Sequence, residues 1–424
     1  MRTFMSANTF ERRPFVSHRE ELSLAEVFFA AWALVIPMSS FLVVPAIQGT
    51  TPAAVLSPMV AIWAISSRRA WSTLIVAVFF WTFFLIFSQI GIGANSGILL
   101  HNLRAIDPTT QEMGYRTSLF TQTAYLIPCL ALFIFLQDQF CDSWLKYIAA
   151  GGWLLAVYAI IEWIYFILYQ EPFTFLANRT YEYRGEEYAG SVAQQISLGP
   201  LAAMRLKGFT REPGFYAATA LPYLAIALST GRWKLYFVLA VSLLLTFSTT
   251  AYLGFVIVSV TTLFYRKHLL VVDFMIFTFA TLLGLFVAIS YPDVFAGMFA
   301  EKFIGENISG NTRIGYMQYA YSYFWDLPLM CKLFGVGFGT TYLPSFSRVL
   351  LDMGLVGLLL FALFVFYPLR ILSSTALNVG IKTALVALAF FWAVSFPELF
   401  FPTNWLVLGI AYHQMHDTQR LTAC

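Results

Sequence analysis

Residues 355–366 read LVGLLLFALFVF, a stretch with no charged side chain and no alternation of polar and apolar positions. With its flanks it approaches the roughly 20 apolar residues that a helix needs to cross a bilayer. Comparable runs recur along the chain, which is 59% hydrophobic with a mean hydropathy of +0.73. Its charged fraction of 11% is far below the roughly 25% of soluble domains. Because runs without alternation suit helices and not barrel strands, the sequence predicts an all-α, polytopic integral membrane protein.

We predict about twelve spanning helices in a single transmembrane domain, residues 24–412. The predicted spans are 24–47, 52–66, 71–94, 118–136, 145–169, 214–229, 233–247, 250–265, 269–290, 343–367, 381–396 and 402–412. Three longer connecting segments, 95–117, 170–213 and 291–342, precede the fourth, sixth and tenth predicted helices.

The short connections between predicted spans carry basic residues, which membrane proteins keep on the cytoplasmic side. These residues are Arg68, Arg69, Arg232, Lys234, Arg266 and Lys267. The pattern predicts that the tails at 1–23 and 413–424 are both cytoplasmic. The three longer segments then lie on the outer face, and we refer to them as the first, second and third outer segments.

Composition also argues against several classes of function. The net charge is only +3 and no run of like charges exists, so the sequence predicts no nucleic-acid partner. The four cysteines show no CxxC spacing, and the five histidines do not group at the spacing of metal ligands. No arrangement of serine, histidine and acid suggests a hydrolytic nucleophile. We therefore predict neither a metal site nor a cofactor.

The end of the second outer segment carries three cations within seven residues, Arg205, Lys207 and Arg211, followed directly by Glu212. Cations at a membrane surface are costly unless they are paired or solvated, which favours a functional role such as binding an anion. Two structural alternatives exist: Arg211 and Glu212 could form a surface pair, or the long side chains could reach lipid headgroups.

The third outer segment contains Asn311, Thr312 and Arg313, followed by apolar residues at helical spacing. This pattern predicts a short interfacial helix. Asn311 or Thr312 is a suitable N-cap, which would place Arg313 in the first turn, where free backbone N–H groups attract anions. A cation there is unfavourable for the helix alone, so the sequence favours an anionic partner. Glu301 or Glu306 could also supply that charge.

Residues 333–341 read LFGVGFGTT, a glycine-rich turn that allows backbone to approach a ligand or a neighbouring helix closely. Gly337 lies at its centre. In the predicted helix that follows, Arg348 and Asp352 are four residues apart and could pair with each other.

Two further residues enter the candidate site from their positions on the predicted outer face. Tyr181 belongs to a crowd of tyrosines in the second outer segment, most of which suit an interfacial belt, while a minority could stack on sugar rings. His101 is the histidine that the predicted topology places outside. Both are therefore candidates for contact with a polar substrate.

Four motifs in order, GFTREPGF at 208–215, NTR at 311–313, FGVGFG at 334–339 and LDMGLVG at 351–357, resemble the Wzy-type polysaccharide polymerases and the related O-antigen ligases. These are bacterial membrane glycosyltransferases, and the resemblance covers the architecture of nearly the whole chain. The chain departs from the family at 248–250, where it reads Ser-Thr-Thr and family members often carry a Ser-Arg pair.

The resemblance distinguishes polymerase from ligase. Ligases resemble one another in a histidine in the last large outer loop, and this chain has none between Ser290 and Arg348. The resemblance therefore implies a polymerase that takes an undecaprenyl-diphosphate-linked oligosaccharide and extends it on the outer face of the bacterial cytoplasmic membrane. It also implies a flippase and a chain-length regulator as neighbours in the lipid bilayer.

Our hypothesis for the chemistry is that Arg211 and Arg313 hold the diphosphate, because guanidinium forks match phosphate oxygens in paired hydrogen bonds. Arg205 and Lys207 would add positive potential. Fixed cations stabilise the charge that builds on the departing lipid diphosphate, so the reaction is predicted to need no metal.

Other residues receive provisional roles in this hypothesis. Glu212 and His101 are the candidates for the base that takes the acceptor proton, although Glu212 could equally orient Arg211. We assign Tyr181, Gly337 and Arg348 to substrate binding, with a structural Arg348 pair as the alternative.

Two other classes of protein fit the same composition. A transporter of an anionic or lipid-linked cargo would place polar groups at mid-membrane, and Glu162 in the fifth predicted helix is such a group. It could instead be a satisfied interhelical hydrogen-bonding residue. A non-catalytic scaffold would use the outer arginines only to bind lipid headgroups.

Overall fold

The computed structural model consists mainly of helices. It describes residues 23–45, 47, 49–60, 68–94, 103, 106, 112–115, 118–171, 173, 178, 180–183, 186–189, 194–198, 201–266, 289–290, 292, 308–395 and 399–423. The helices are α1 (Leu24–Val35), α2 (Pro52–Leu56), α3 (Arg68–Ala94), α4 (Ser118–Gln139), α5 (Leu145–Tyr169), α6 (Pro213–Ser229), α7 (Trp233–Leu244), α8 (Thr249–Tyr265), α9 (Ile308–Asp326), α10 (Leu329–Phe334), α11 (Ser345–Ile371), α12 (Ala376–Val394) and α13 (Pro402–Ala423).

Within these described residues, four helices are long and apolar enough to cross a membrane. They are α4, α5 with the short 3-10 turn before it, α11 and α12, and shorter apolar helices accompany them. The prediction of a helical membrane protein is confirmed at this level, while the count of about twelve spans stays a prediction. Helix α5 has the predicted bounds, and α3, α4, α6, α7, α8, α11 and α12 begin and end within a few residues of theirs.

The start of the domain differs from the prediction of a span at 24–47. Helix α1 ends at Val35, shortly before Pro37, and the following residues turn back toward the second outer segment. The backbone N–H groups of Ser39 and Ser40 donate to the carbonyl oxygen of Phe209 at 3.2 and 2.9 Å. These bonds replace the helical ones that the run of apolar residues had suggested.

Two other predicted spans are only partly visible. Helix α2 covers the first five residues of the predicted span at 52–66, and residues 61–67 lie outside the described part of the chain. Of the predicted span at 269–290, only residues 289–290 are described, and they are helical.

The helix that forms the last predicted span, 402–412, is longer than predicted, because α13 continues through the predicted tail to Ala423. Polar contacts with the end of α4 and the turn after it hold this extension. The His413 Nδ1 atom lies 3.0 Å from the carbonyl oxygen of Gln137, and Gln414 Nε2 donates to Asp142 Oδ1 at 2.9 Å. A tail that contacts the bundle in this way retains helical structure although its sequence is polar.

The second outer segment contains strands, which the all-α prediction did not include. Strands β1 (Thr180–Tyr183) and β2 (Glu186–Ala189) form one antiparallel hairpin, and β3 (Gln195–Leu198) and β4 (Leu201–Met204) form another. Tyr181 pairs with Tyr188 in the first hairpin. Aromatic and β-branched residues favour such short strands. The membrane-crossing part of the fold remains helical, and the hairpins are an addition to it.

Small residues set the packing of the interior around α6, which is buried along almost its whole length. Gly152 of α5 faces the ring of Tyr223, Gly254 of α8 faces Leu221, and Gly380 of α12 faces Ser229. A side chain at any of these glycines would meet an atom of α6 or its neighbour at close range. Glycine at such contacts allows helix backbones to approach each other closely in a membrane.

Candidate functional site

On the predicted outer side, helix α5 extends beyond the segment 205–212 that leads into α6. The backbone nitrogen of Gly208 donates to Glu162 Oε2 at 2.9 Å, and a Cβ atom on Gly208 would lie 2.8 Å from Ala159 and 3.3 Å from the ring of Tyr216. The start of α6 is therefore level with Glu162. Because α5 continues seven residues further to Tyr169, it extends about 10 Å beyond that level.

Two neighbouring helices end at the same level as the start of α6. Tyr216 Oη donates to Ser242 Oγ at 2.6 Å, and α7 ends two residues later; α8 begins five residues after that. A Cβ atom on Gly214 would lie 4.0 Å from Ser395 Oγ, just past the end of α12. We call this level, with residues 205–212 and the adjoining ends of α6, α7, α8 and α12, the polar floor.

Residues 205–212 are fixed on the polar floor by backbone bonds to several elements. The backbone nitrogen of Arg205 donates to the carbonyl oxygen of Gln194 at 2.8 Å, and that of Leu206 donates to Leu245 at 3.0 Å. The ring of Phe209 stacks on Tyr158 with centroids 3.8 Å apart. The segment is therefore part of the packed structure and not a loop above it.

Gly208 makes the sharp turn in this segment possible. Its φ is +54°, in the left-handed region that favours glycine. Its lack of a side chain also allows the backbone to lie against Ala159 of α5. The motif at 208–215 thus begins with a residue that a close approach requires.

Lys207 does not serve as the outward cation that the sequence predicted. Its Nζ atom lies 2.8 Å from Glu162 Oε1, and both side chains are almost completely buried. The same carboxylate accepts the Gly208 backbone N–H through its other oxygen. Glu162 is therefore satisfied within the protein, as one of its two predicted roles required, although its partners lie in the segment before α6 and not on another helix. Because the pair is neutral overall and excluded from solvent, we withdraw the assignment of Lys207 to substrate binding.

Arg205 lies half-buried at the polar floor, beside the start of α8. Its Nε atom donates to the carbonyl oxygen of Thr246 at 3.2 Å, and Nη1 donates to Gln194 Oε1 at 2.5 Å. The guanidinium thus contacts the backbone two residues before Ser248, the first residue of the Ser-Thr-Thr stretch at 248–250. The sequence did not indicate this proximity, because the two segments are more than 40 residues apart.

Arg211 and Glu212 are also half-buried at the polar floor, directly before α6. Glu212 is the N-cap residue of α6 but makes no side-chain capping bond, and its Oε1 atom lies 3.8 Å from where a Gly214 Cβ would be. Ser395 flanks the same glycine from the other side. Three of the predicted site residues, Arg205, Arg211 and Glu212, therefore lie half-buried on one short segment, 205–212, at the polar floor.

Several hydroxyl groups also lie at the polar floor, and the sequence analysis did not assign them to the site. Ser248 Oγ and Thr250 Oγ1 are 3.0 Å apart at the start of α8, and Thr210 Oγ1 donates to the carbonyl oxygen of Lys207 at 2.7 Å. Serine and threonine hydroxyls are too common in sequence to stand out. Only the position of α8 beside residues 205–212 identifies them.

Arg348 is only 1% exposed, whereas a residue that binds substrate has to be accessible to it. Its Nε atom lies 3.4 Å from Asp352 Oδ2, its Nη2 donates to Gln122 Oε1 at 2.8 Å, and its guanidinium lies 5.3 Å from the ring centre of Phe400. The predicted pairing with Asp352 is confirmed. The alternative assignment of Arg348 to substrate binding has no support from this geometry.

The glycine-rich turn binds a helix of the same chain and not a ligand. The backbone nitrogens of Gly339 and Thr341 each donate to the Asp352 carboxylate at 3.0 Å, and the nitrogen of Gly337 donates to the carbonyl oxygen of Asp352 at 3.1 Å. Of the two roles that the sequence allowed for the turn, the structure supports close approach to a helix. Gly337 is therefore not a substrate-binding residue in this arrangement.

The predicted N-cap at Asn311 or Thr312 was wrong, because α9 begins at Ile308. Arg313 is the sixth residue of the helix and lies beyond the first turn. The N-terminal N–H groups therefore give no argument for an anion at Arg313. The prediction that this segment forms a helix is confirmed.

The remaining predicted site residues cannot be compared with the polar floor. The side chains of Arg313 and Tyr181 and the whole of His101 lie outside the described part of the structure, so their assigned roles stay predictions. Among the described residues, no three histidine, cysteine, aspartate or glutamate side chains group closely enough to hold a metal ion. No protein-family model, curated protein or solved structure matches this chain.

Proposed function

We propose that this chain is a membrane glycosyltransferase that polymerises undecaprenyl-diphosphate-linked oligosaccharide units. The observation that carries the proposal is that Arg205, Arg211 and Glu212 lie half-buried on one segment of the polar floor, about 10 Å below the end of α5. A hydrophilic floor at this depth suits the diphosphate of a lipid carrier, whose charged group lies between the acyl chains and water. The resemblance to Wzy-type polymerases supplies the reaction class.

The binding of a diphosphate rests on two guanidinium groups and a helix terminus. Arginine binds phosphate oxygens in paired hydrogen bonds, and Arg205 and Arg211 come from one rigid segment. The N-terminus of α6 begins two residues after Arg211, and its free N–H groups add partial positive charge. We retain Arg313 as a further candidate ligand on the strength of the resemblance alone.

Arg205 is the candidate for the second cation that the family carries at the Ser-Arg pair. It reaches the carbonyl oxygen of Thr246, two residues before Ser248, from a different part of the chain. A guanidinium supplied from residue 205 would serve the same diphosphate without an arginine at 249. Lys207 contributes indirectly, because its pairing with Glu162 holds the backbone between the two arginines.

In the proposed reaction, a hydroxyl of the acceptor saccharide attacks the anomeric carbon of the donor sugar. A new carbon–oxygen bond forms, the bond from that carbon to the diphosphate oxygen breaks, and its electron pair leaves with the lipid diphosphate. The two arginines stabilise this developing charge more than the ground state. Glu212 would take the hydroxyl proton, with His101 as the alternative base.

The proposed function also implies a membrane location, an orientation and neighbouring proteins. The enzyme would act in the bacterial cytoplasmic membrane with the polar floor outward and both termini in the cytoplasm. A flippase would deliver the lipid-linked unit, and a chain-length regulator would limit the product.

The test is to reconstitute the protein in lipid vesicles with an undecaprenyl-diphosphate-linked repeat unit and to separate the saccharide products by size. We expect a ladder of multiples of the unit. In the Arg211→Ala variant the rate should fall about a hundredfold, as on removal of one preorganised donor. The matched control is Arg370→Ala, an exposed arginine in the last turn of α11, which should leave the ladder unchanged.

Other products would lead to other functions. Transfer of one saccharide block to a different lipid acceptor would indicate a ligase. Movement of the substrate across the membrane without a covalent product would indicate a transporter. A ladder at the wild-type rate in Arg211→Ala would refute the proposed diphosphate site.

A further inference from the structure

Helix α10 is wedged between two longer helices. The carbonyl oxygen of Gly335, just after α10, would clash with a Cβ atom on Gly91 of α3. On the other side, the carbonyl oxygen of Leu333 would clash with a Cβ atom on Gly354 of α11. Backbone therefore touches backbone at both contacts, and α10 is fixed at the depth of Gly91 and Gly354.

The contacts of α10 with Gly91 and Gly354 lie in the apolar parts of α3 and α11. Gly354 has φ +68° and divides α11 at a kink. Beyond the kink the helix carries an exposed apolar stripe with a spacing of four residues, Leu355, Leu359 and Leu363. Exposed apolar residues at helical spacing on a helix long enough to cross a membrane face lipid. The kink, and with it α10, therefore lies at one end of the lipid-facing stripe.

The outer surface of α10 continues that stripe. Leu329 is 70% exposed and Met330 is 47% exposed, and Trp325, at the end of α9, is 68% exposed. The exposed side chains of Ile90 and Leu355 are next in sequence to Gly91 and Gly354, the two residues that flank α10. Exposed apolar side chains thus lie on α10 and beside both of its contacts with α3 and α11, while the exposed Asp326 follows Trp325.

Helices α9 and α10 are held in place by buried side chains that differ from the exposed ones just described. Phe324, Leu327 and Cys331 are at most 4% exposed and form an apolar cluster with residues of α3 and α11. The protein interior therefore uses the opposite side of the two helices. Within the described part of the chain, Trp325, Leu329 and Met330 are not members of that cluster.

We infer that the turn formed by the end of α9 and by α10 is inserted into the outer leaflet, with Leu329 and Met330 among the acyl chains and Trp325 at the headgroup level. The partner is the phospholipid of that leaflet. Large apolar patches on a protein surface mark interaction sites, and tryptophan is enriched at the membrane interface. The proximity to the exposed Ile90 of α3 and to the lipid-facing stripe of α11 selects lipid over a soluble protein. The inference does not depend on the proposed enzymatic function.

Site-directed spin labelling tests the inference on the full chain in vesicles of phosphatidylethanolamine and phosphatidylglycerol. Single cysteines replace Leu329 and Met330 in a background in which the exposed Cys141 and the C-terminal Cys424 are changed to serine. Leu359→Cys is the lipid-facing control, and Gln318→Cys, an exposed polar position in α9, is the aqueous control. The measurement is the ratio of label accessibility to oxygen, which concentrates in lipid, and to a water-soluble nickel chelate.

We expect the oxygen-to-nickel ratios at 329 and 330 to match that at 359 and to exceed that at 318. Ratios at both positions equal to that at 318 would overturn the inference. If one label disturbs the turn, the other reports independently, and a third label at Trp325 should give an intermediate ratio. A high oxygen-to-nickel ratio in vesicles that is lost in micelles of a short-chain detergent would still support insertion, because the ratio would then depend on the bilayer leaflet.

Discussion

Glu162 in α5 and Asp352 in α11 are both buried, and each holds a segment from the predicted outer side with the same kinds of donor. Glu162 accepts a lysine ammonium and the N–H of Gly208, whose φ is +54°. Asp352 accepts an arginine Nε–H and the N–H of Gly339, whose φ is +79°. In both regions a left-handed glycine turns a backbone donor toward a buried carboxylate.

The two regions differ in the distance along the chain between the charged partners. Arg348 and Asp352 are four residues apart on one helix, whereas Glu162 and Lys207 are 45 residues apart. Helical spacing alone predicted the first pair. No local rule connects the second pair, and Lys207 therefore resembled an available cation. The comparison shows that a cation in an outer segment can only be assigned a ligand after its internal partners are known.

The largest expected effect is that of Lys207→Met, which leaves the Glu162 carboxylate buried without its cation. We expect a loss of about 4 kcal/mol in the free energy of unfolding, because an unpaired buried charge is strongly destabilising. Chemical unfolding in mixed micelles measures it. The control is Lys146→Met, which breaks a solvent-screened 2.9 Å pair with Glu26 and should leave the free energy of unfolding nearly unchanged.

The double variant Glu162→Gln/Lys207→Met sharpens this prediction. The glutamine oxygen can still accept the Gly208 N–H, and no net charge remains buried. We expect most of the stability lost in the single variant to return. Equal instability of the single and double variants would contradict the ion-pair explanation.

A somewhat smaller effect is expected for Asp352→Asn, about 3 kcal/mol, because removal of the charge leaves Arg348 buried beside a neutral amide. The loss is moderated because Arg348 keeps its bond to Gln122 and the amide oxygen can still accept one backbone N–H from the glycine turn. The same unfolding measurement applies. In the Asp352→Asn background, Gln122→Ala should reduce the free energy of unfolding further. If the losses of the two single variants simply added up in the double variant, Gln122 and Asp352 would not act as one cluster around Arg348.

Gly208→Ala should cost about 2 kcal/mol, from the left-handed backbone and from the overlap of its Cβ with Ala159. Gly231 is the matched control, since its φ is +73° but no atom lies within 4 Å of an added Cβ. Gly231→Ala should therefore show the conformational cost alone, about 1 kcal/mol. Equal losses in the two variants would mean that the contact with α5 is not tight.

The smallest effect concerns activity. Arg205→Lys keeps a positive charge at the polar floor but loses the planar fork that binds phosphate through two bonds. We expect the rate of saccharide polymerisation to fall about tenfold, corresponding to about 1.4 kcal/mol. Lys234→Arg, at the opposite end of the bundle, is the control. An unaltered rate in Arg205→Lys would remove Arg205 from the proposed diphosphate site.

Hydrophobicity determined much of this protein by itself. The long apolar runs predicted helices that the structure has within a few residues for most of the described spans, because a chain in hydrocarbon can satisfy its backbone only internally. The i, i+4 spacing of Arg348 and Asp352 and the helical spacing after residue 313 were local signals of the same kind. Each depends on residues within a few positions of one another.

Tertiary structure decided which charged residues reach the candidate site. Lys207 and Arg348 each pair with a buried carboxylate inside the bundle, while Arg205, Arg211 and Glu212 lie half-buried at the polar floor. The bend after α1 and the level at which α6 to α8 begin or end also follow from packing between distant segments. The physical reason is that burial and pairing of a charge depend on groups brought together in space, and no periodicity in the sequence records them.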